Sequence, residues 1–223
     1  MLAPRSIFTR YGDDMGARPT TSRRSSTALI RAVACGMLVL ASCSTAHSDD
    51  PAAPITKLTK AMLVDPASLP AVEGGEWQVG KIRSEDSPPR ADTYVPPECA
   101  PLVGDVNHTQ RVSIRNMPDS LDRRVINFWL YVTPNPPDAI DLVPKCGTVS
   151  EKYLMDNPGN RPFILTPTAV PGTPSWAAAA TMNDSIYVMG SYRGVFFRAD
   201  FNPEHTDVAM KVFNDQAAKL AAA

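Results

Sequence analysis

RVINFWLYVT, Arg124 to Thr133, is the stretch that decides the fold. Alternate residues point to opposite sides of a strand, so Ile126, Phe128, Leu130 and Val132 share one face. Val125, Asn127, Trp129, Tyr131 and Thr133 share the other. The first set is wholly aliphatic or aromatic and predicts a core-facing side. The second mixes rings with polar groups. Pro134, Pro136 and Pro137 then end the strand, because proline lacks the N–H a ladder requires.

Upstream, Gln110 to Arg115 also alternates, with Val112 and Ile114 on one face. Gly74-Gly75 leads into a predicted strand at Trp77 to Ile82, preceded by a short helical turn capped by Asp65-Pro66 and limited by Pro70. Residues 84–101 are dense in proline and charge and read as a surface loop leading to Cys99. Downstream, Asp138 to Val143 reads as a short helix, and Lys152 to Leu154 and Phe163 to Thr166 as short strands. Trp176 to Phe201 is sheet again, with a turn at Asn183-Asp184. Ser185 to Phe201 is either one strand bent at Gly190 or a hairpin around Gly194. After Asn202-Pro203, Val208, Ala209, Val212, Phe213, Ala217 and Leu220 recur at helical spacing, with Lys211, Asp215 and Lys219 on the wet side. Strands closed by a terminal helix, without strict βαβ alternation, define an α+β class: an antiparallel β-sheet with helices packed on it.

The beginning of the chain follows other rules. Residues 1–31 carry six arginines against Asp13 and Asp14, and Ala32 to Ser42 is uncharged and mostly apolar. That layout is an export signal. Its eleven-residue apolar run is too short for a membrane span, which needs roughly 20 residues. Leu40-Ala41-Ser42-Cys43 resembles the lipobox of bacterial lipoproteins, in which small residues admit a peptidase and the cysteine thiol takes the lipid. The expected organisation is a signal peptide over 1–42, a flexible tether over 43–57 and one domain over 58–223. Cys43 is the expected lipidation site, with membrane lipid as its partner and the extracytoplasmic face of the cell membrane as its location. Two or three acyl chains form a durable anchor where one holds only marginally. Met1 and Met15 are both candidate starts. Ser22-Arg23-Arg24 lacks the large apolar residue of a twin-arginine signal.

The chain has 22 basic and 23 acidic residues; without the leader, 16 face 21, a net charge of −5. That argues against a nucleic-acid binder, which would show a basic face. Cys35 leaves with the signal, so Cys99 and Cys146 remain as a pair in an oxidising compartment and read as a disulfide. Closing a loop of about 48 residues contributes about 4 kcal/mol on the chain-entropy account. Two cysteines without CxxC spacing or neighbouring histidines do not make a zinc site. No metal or cofactor is expected.

Pro97-Glu98-Cys99-Ala100, Cys146, Tyr192-Arg193-Gly194-Val195-Phe196 and the closing Phe213 to Leu220 together resemble mycobacterial sensor-domain lipoproteins. These are similar to the extracellular sensor domain of receptor serine/threonine kinases. The resemblance covers roughly residues 58–222. It implies an antiparallel sheet backed by helices around a cleft for an unidentified ligand, with no catalytic residues to carry over. The kinase-type domains usually have two disulfides, whereas one pair is available here.

Hydrolytic motifs fail on inspection. Gly190-Ser191-Tyr192-Arg193-Gly194 puts Tyr192 where a nucleophile elbow needs serine. His47 lies in the tether, His108 in an expected loop and His205 at a helix start. Asp200, Asn202 and Glu204 alternate like a calcium loop but lack its glycine and final glutamate. Asn107-His108-Thr109 and Asn183-Asp184-Ser185 match a glycosylation triplet, which a bacterial leader deprives of meaning.

The candidate ligand cleft is therefore Asn127, Trp129 and Tyr131, with Arg193 as a guide for an anionic ligand or simply an exposed strand charge. Two readings of the aromatic face are open. Either it lines a cleft for an apolar or glycan-like envelope molecule, or the terminal helix covers it as a second core. At the level of the protein, the expectation is a non-catalytic domain binding an envelope small molecule or membrane protein. A structural or assembly factor and an atypical hydrolase are the alternatives.

Overall fold

The computed structural model describes residues 53–72, 75–87, 93–118, 126–152 and 161–223, all within the unit Asp49–Ala223. The signal region, Cys43, the first part of the tether, Arg124, Val125 and Leu154 lie outside the described residues.

An antiparallel sheet forms the middle of this unit. Its order runs β1 (Gly75–Val79), β4 (His108–Pro118), β5 (Ile126–Val132), β11 (Val195–Phe201), β10 (Ser185–Tyr192), β9 (Ala177–Met182) and β8 (Thr166–Pro167). β2 (Arg83–Ser87) continues the β1 edge along β4. Two tight turns fix the far half of the sheet. Asn183 and Asp184 have φ of 50° and 65°, and Arg193 and Gly194 have φ of 49° and 82°. Positive φ at both central residues is the type I′ requirement, whose twist matches that of the flanking strands. The stretch Ser185 to Phe201 is thus a hairpin around Gly194. Gly190 keeps the register straight and serves close approach: a Cβ there would lie 2.5 Å from the Trp176 carbonyl oxygen.

The sheet is covered on both faces. Ile126, Phe128, Leu130 and Val132 meet α2 (Thr206–Ala221), which buries Ala209, Val212, Phe213 and Leu220 on this side. Trp176, Phe197 and Phe213 form the aromatic centre of that core, with ring centroids 5.2–5.5 Å apart. The N-terminal segment crosses the same face. The Ile55 N–H donates to the Arg193 carbonyl, and that of Leu58 to Gln110 Oε1. Farther along, the Val64 N–H donates to Gln216 Oε1, while Gln216 Nε2 donates to the Met62 carbonyl. Ile55 is buried, so packing reaches into the segment expected to be tether.

The opposite face carries a disulfide-tied layer. A 3-10 turn over Pro97–Val103 and the short helix α1 (Ala139–Lys145) are joined by Cys99–Cys146, with Cα atoms 5.8 Å apart. Small strands β3 (Tyr94–Val95), β6 (Thr148–Glu151) and β7 (Phe163–Ile164) extend this layer. Leu102, Val143, Val149, Met189 and Phe196 form its core. Two expectations are corrected. Residues 84–101 are not one loop, because Arg83–Ser87 pairs with β4 and Tyr94–Val95 with β6. The terminal helix packs on the aliphatic face of β5, and the disulfide layer takes the aromatic one. A strand covered on both sides buries nearly all its side chains, as β5 does.

Candidate functional site

Register places the polar side of the sheet in three rows. Arg111 lies opposite Tyr131, which lies opposite Phe196. Ser113, Trp129 and Arg198 form the next row, and Arg115, Asn127 and Asp200 the third. The disulfide layer covers the Tyr131–Phe196 end of the first row, so Tyr131 is 5% exposed and Phe196 is fully buried. Trp129 is only half-buried. Its ring stacks on Tyr131 with centroids 6.2 Å apart and planes at 22°.

Arginines from the neighbouring strand close on this ring. The Arg115 guanidinium carbon lies 4.7 Å from the Trp129 centroid and that of Arg111 5.9 Å away. Such contacts are worth roughly 0.5–1 kcal/mol at open sites and more as water is excluded. Arg111 also bonds Glu85 at 3.0 Å, and Arg83 approaches the same carboxylate at 4.0 Å. These groups border a cavity of about 310 Å³ beside β1 and β2, lined among others by Lys81, Arg83, Arg111, Ser113, Arg115 and Trp129. It is a basic recess on an otherwise acidic domain.

The remaining polar residues of this face lie outside the recess. Asn127 is 3% exposed and donates Nδ2–H to Asp200 Oδ1 at 3.0 Å. Arg198 lies over the Tyr187 ring at 5.2 Å. Burial pushes the phenols of Tyr131 and Tyr187 above their ordinary range, against the opposing pull of Arg198. Both therefore remain neutral hydroxyls at physiological pH. His108 opens β4 instead of lying in a loop. Its Nδ1 is 2.6 Å from the Val106 carbonyl oxygen, and its ring packs edge-on against Tyr131.

Of the sequence-derived candidates, Trp129 alone lines the cavity; Tyr131 is buried and stacks on it, and Asn127 is buried against Asp200. Arg193 sits elsewhere. From the β10–β11 turn it donates Nε–H to the Ala53 carbonyl at 3.0 Å and Nη1–H to the Leu220 carbonyl at 2.7 Å. That is a structural clamp on the α2 side of the sheet. The residues the sequence left unmarked are Lys81, Arg83, Arg111 and Arg115. Two of them were visible in principle: in RVSIR, Arg111, Ser113 and Arg115 must face away from Val112 and Ile114. Only the β4–β5 register puts Ser113 opposite Trp129.

No family model matches the chain, and none of the curated proteins matches it. Among solved structures, the extracellular domain of PknH from Mycobacterium tuberculosis is similar. Identity is 18%, the TM-score is 0.44, and the match covers 76% of this chain and 98% of that one. A likeness of that size carries no functional weight.

Proposed function

We propose that this chain is an envelope lipoprotein whose extracytoplasmic domain is a non-catalytic, sensor-type binding module, with its ligand held against Trp129. One observation carries the proposal. The disulfide layer seals the Tyr131 end of the polar sheet face and leaves Trp129 half-buried in a recess between Arg111 and Arg115. A flat ring with flanking guanidinium groups offers area, polarisability and positive charge, which is how sites hold ligands with an anionic part. The Cys99–Cys146 bond and the Leu40 to Cys43 lipobox support an oxidising, membrane-proximal setting.

Titrating the purified protein with envelope lipids and glycans, while following tryptophan emission, tests the site. Trp176 lies in the opposite core, and Trp77 donates its indole N–H to the Pro70 carbonyl, so Trp129→Ala isolates the signal. A ligand-dependent change that vanishes in Trp129→Ala is expected; unchanged binding by that variant sinks the proposal. Mass spectrometry of the native N-terminus tests the anchor. An acylated Cys43 is expected, and a retained leader in a cytosolic fraction refutes it.

A further inference from the structure

The edge strand beside β4 is broken between β1 and β2. β1 pairs through Val79 with Ile114, and β2 resumes with Arg83 opposite Arg111. Between them the Gly80 N–H donates to the Ser113 carbonyl at 2.8 Å, and Lys81 and Ile82 drop out of the ladder. A cavity flanks the break on either side of the sheet edge, and both cavities are lined by Val79, Gly80 and Lys81.

The two cavities differ in chemistry. On the Trp129 side are the cations Arg83, Arg111 and Arg115. On the α2 side lies a cavity of about 680 Å³, mostly apolar, walled by Leu63, Val64, Pro66, Val79 and Ile82 together with the charged Lys60, Asp65 and Lys81. Its volume is in the usual range for a ligand site, roughly 300–1,000 Å³. A basic recess and an apolar one, sharing one short segment of backbone, match a molecule with an anionic end and a hydrocarbon end.

We propose that the break in the edge strand is a binding site for an anionic amphiphile of the envelope, that is, a lipid with a phosphate or carboxylate head. The head lies against Trp129 and the arginines, whose planar forks suit two-oxygen anions. The chain turns around the edge at Gly80 and Lys81 and enters the apolar cavity. This inference rests on the Trp129 face being the binding face and names the class of molecule it takes. Glu85 neutralises part of the charge of Arg83 and Arg111, while Lys81 adds to the positive excess. A cationic head is therefore disfavoured. Each methylene buried in the second cavity raises affinity roughly fourfold.

The test uses the full chain carrying Cys43→Ser, so that its own acyl groups do not compete. Dodecyl phosphate, inorganic phosphate and dodecyltrimethylammonium are titrated below micellar concentrations by calorimetry and tryptophan emission. Dodecyl phosphate is expected to bind about tenfold or more tighter than either of the others. Arg115→Gln should remove its advantage over dodecyltrimethylammonium. Ile82→Asn, which adds no charge, should remove its advantage over inorganic phosphate. Should Ile82→Asn fail to fold, Arg115→Gln and the three-probe comparison still decide. Equal affinity for inorganic phosphate and dodecyl phosphate overturns the amphiphile but keeps an anion site at Trp129. Equal affinity for both dodecyl compounds overturns the anionic head. Binding of none of the three overturns the inference, while the lipid and glycan titration of Trp129→Ala judges the broader proposal separately.

Discussion

Gln216, on the buried side of α2, accepts the backbone N–H of Val64 at 3.0 Å from across the sheet face. Its other side-chain atom donates to the Met62 carbonyl at 2.7 Å. One 2%-exposed amide thus satisfies both a donor and an acceptor of a segment that has no strand partner there.

Replacing Gln216 by leucine strands that N–H and that C=O in an apolar setting. Each unsatisfied group costs about 1–3 kcal/mol. Gln216→Leu is expected to lower the free energy of unfolding by about 2–4 kcal/mol in urea titration. A variant as stable as the parent would show that water or a shifted backbone replaces both bonds.

The disulfide should be felt locally as well as globally. Reducing Cys99–Cys146 removes the covalent tie between the Pro97–Val103 turn and α1. The expected loss is about 2–5 kcal/mol, with faster hydrogen exchange in Pro97–Val103 and Ala139–Lys145 than in α2. Uniform acceleration across all three segments would contradict this.

Alkaline pH should weaken the fold through Tyr131 and Tyr187. Burial is the largest cause of their raised pKa, followed for Tyr131 by the opposing charge of Arg198 and for Tyr187 by the nearby Asp200. The folded form holds these protons more tightly than the unfolded chain, whose phenols titrate near 10.0. Their contribution is intact below pH 10 and is lost as pH rises from there through the folded-state values. A spectroscopic titration should show two late phenolates. Tyr187→Phe should remove one of them and flatten the alkaline decline in stability.

Gly190→Ala tests the close packing of β10 on the chain before β9. The added carbon would meet the Trp176 carbonyl oxygen at 2.5 Å and the Ala177 Cα at 2.7 Å. Both are backbone atoms and cannot swing aside. A loss of about 1–3 kcal/mol is expected from thermal unfolding, and a neutral result would mean that the strand can shift.

How much of this was legible in the sequence depended on whether a feature is local. The alternation of Ile126 to Val132 named the core side of β5 directly, and all four of its aliphatic or aromatic members are buried. Asn183-Asp184 marked a turn because asparagine and aspartate tolerate positive φ. By contrast, RSEDS at Arg83–Ser87 has no apolar alternation to betray a strand; its ladder comes from β4, which the sequence does not place beside it. The helix period found the buried stripe of α2 but could not say which sheet face it meets. The same gap hid half of the candidate site. Trp129 and Tyr131 were readable as neighbours on one strand, whereas Arg111 and Arg115 reach Trp129 only through cross-strand register.

Arg193 has a practical consequence. Its guanidinium bonds the carbonyls of both Ala53 and Leu220, so these two positions meet at the same corner. A fluorescent reporter appended after Ala223 would sit near Ala53. A short linker could likewise join Ala53 to the end of α2, letting the molecule be reopened at another surface turn as a circular permutant.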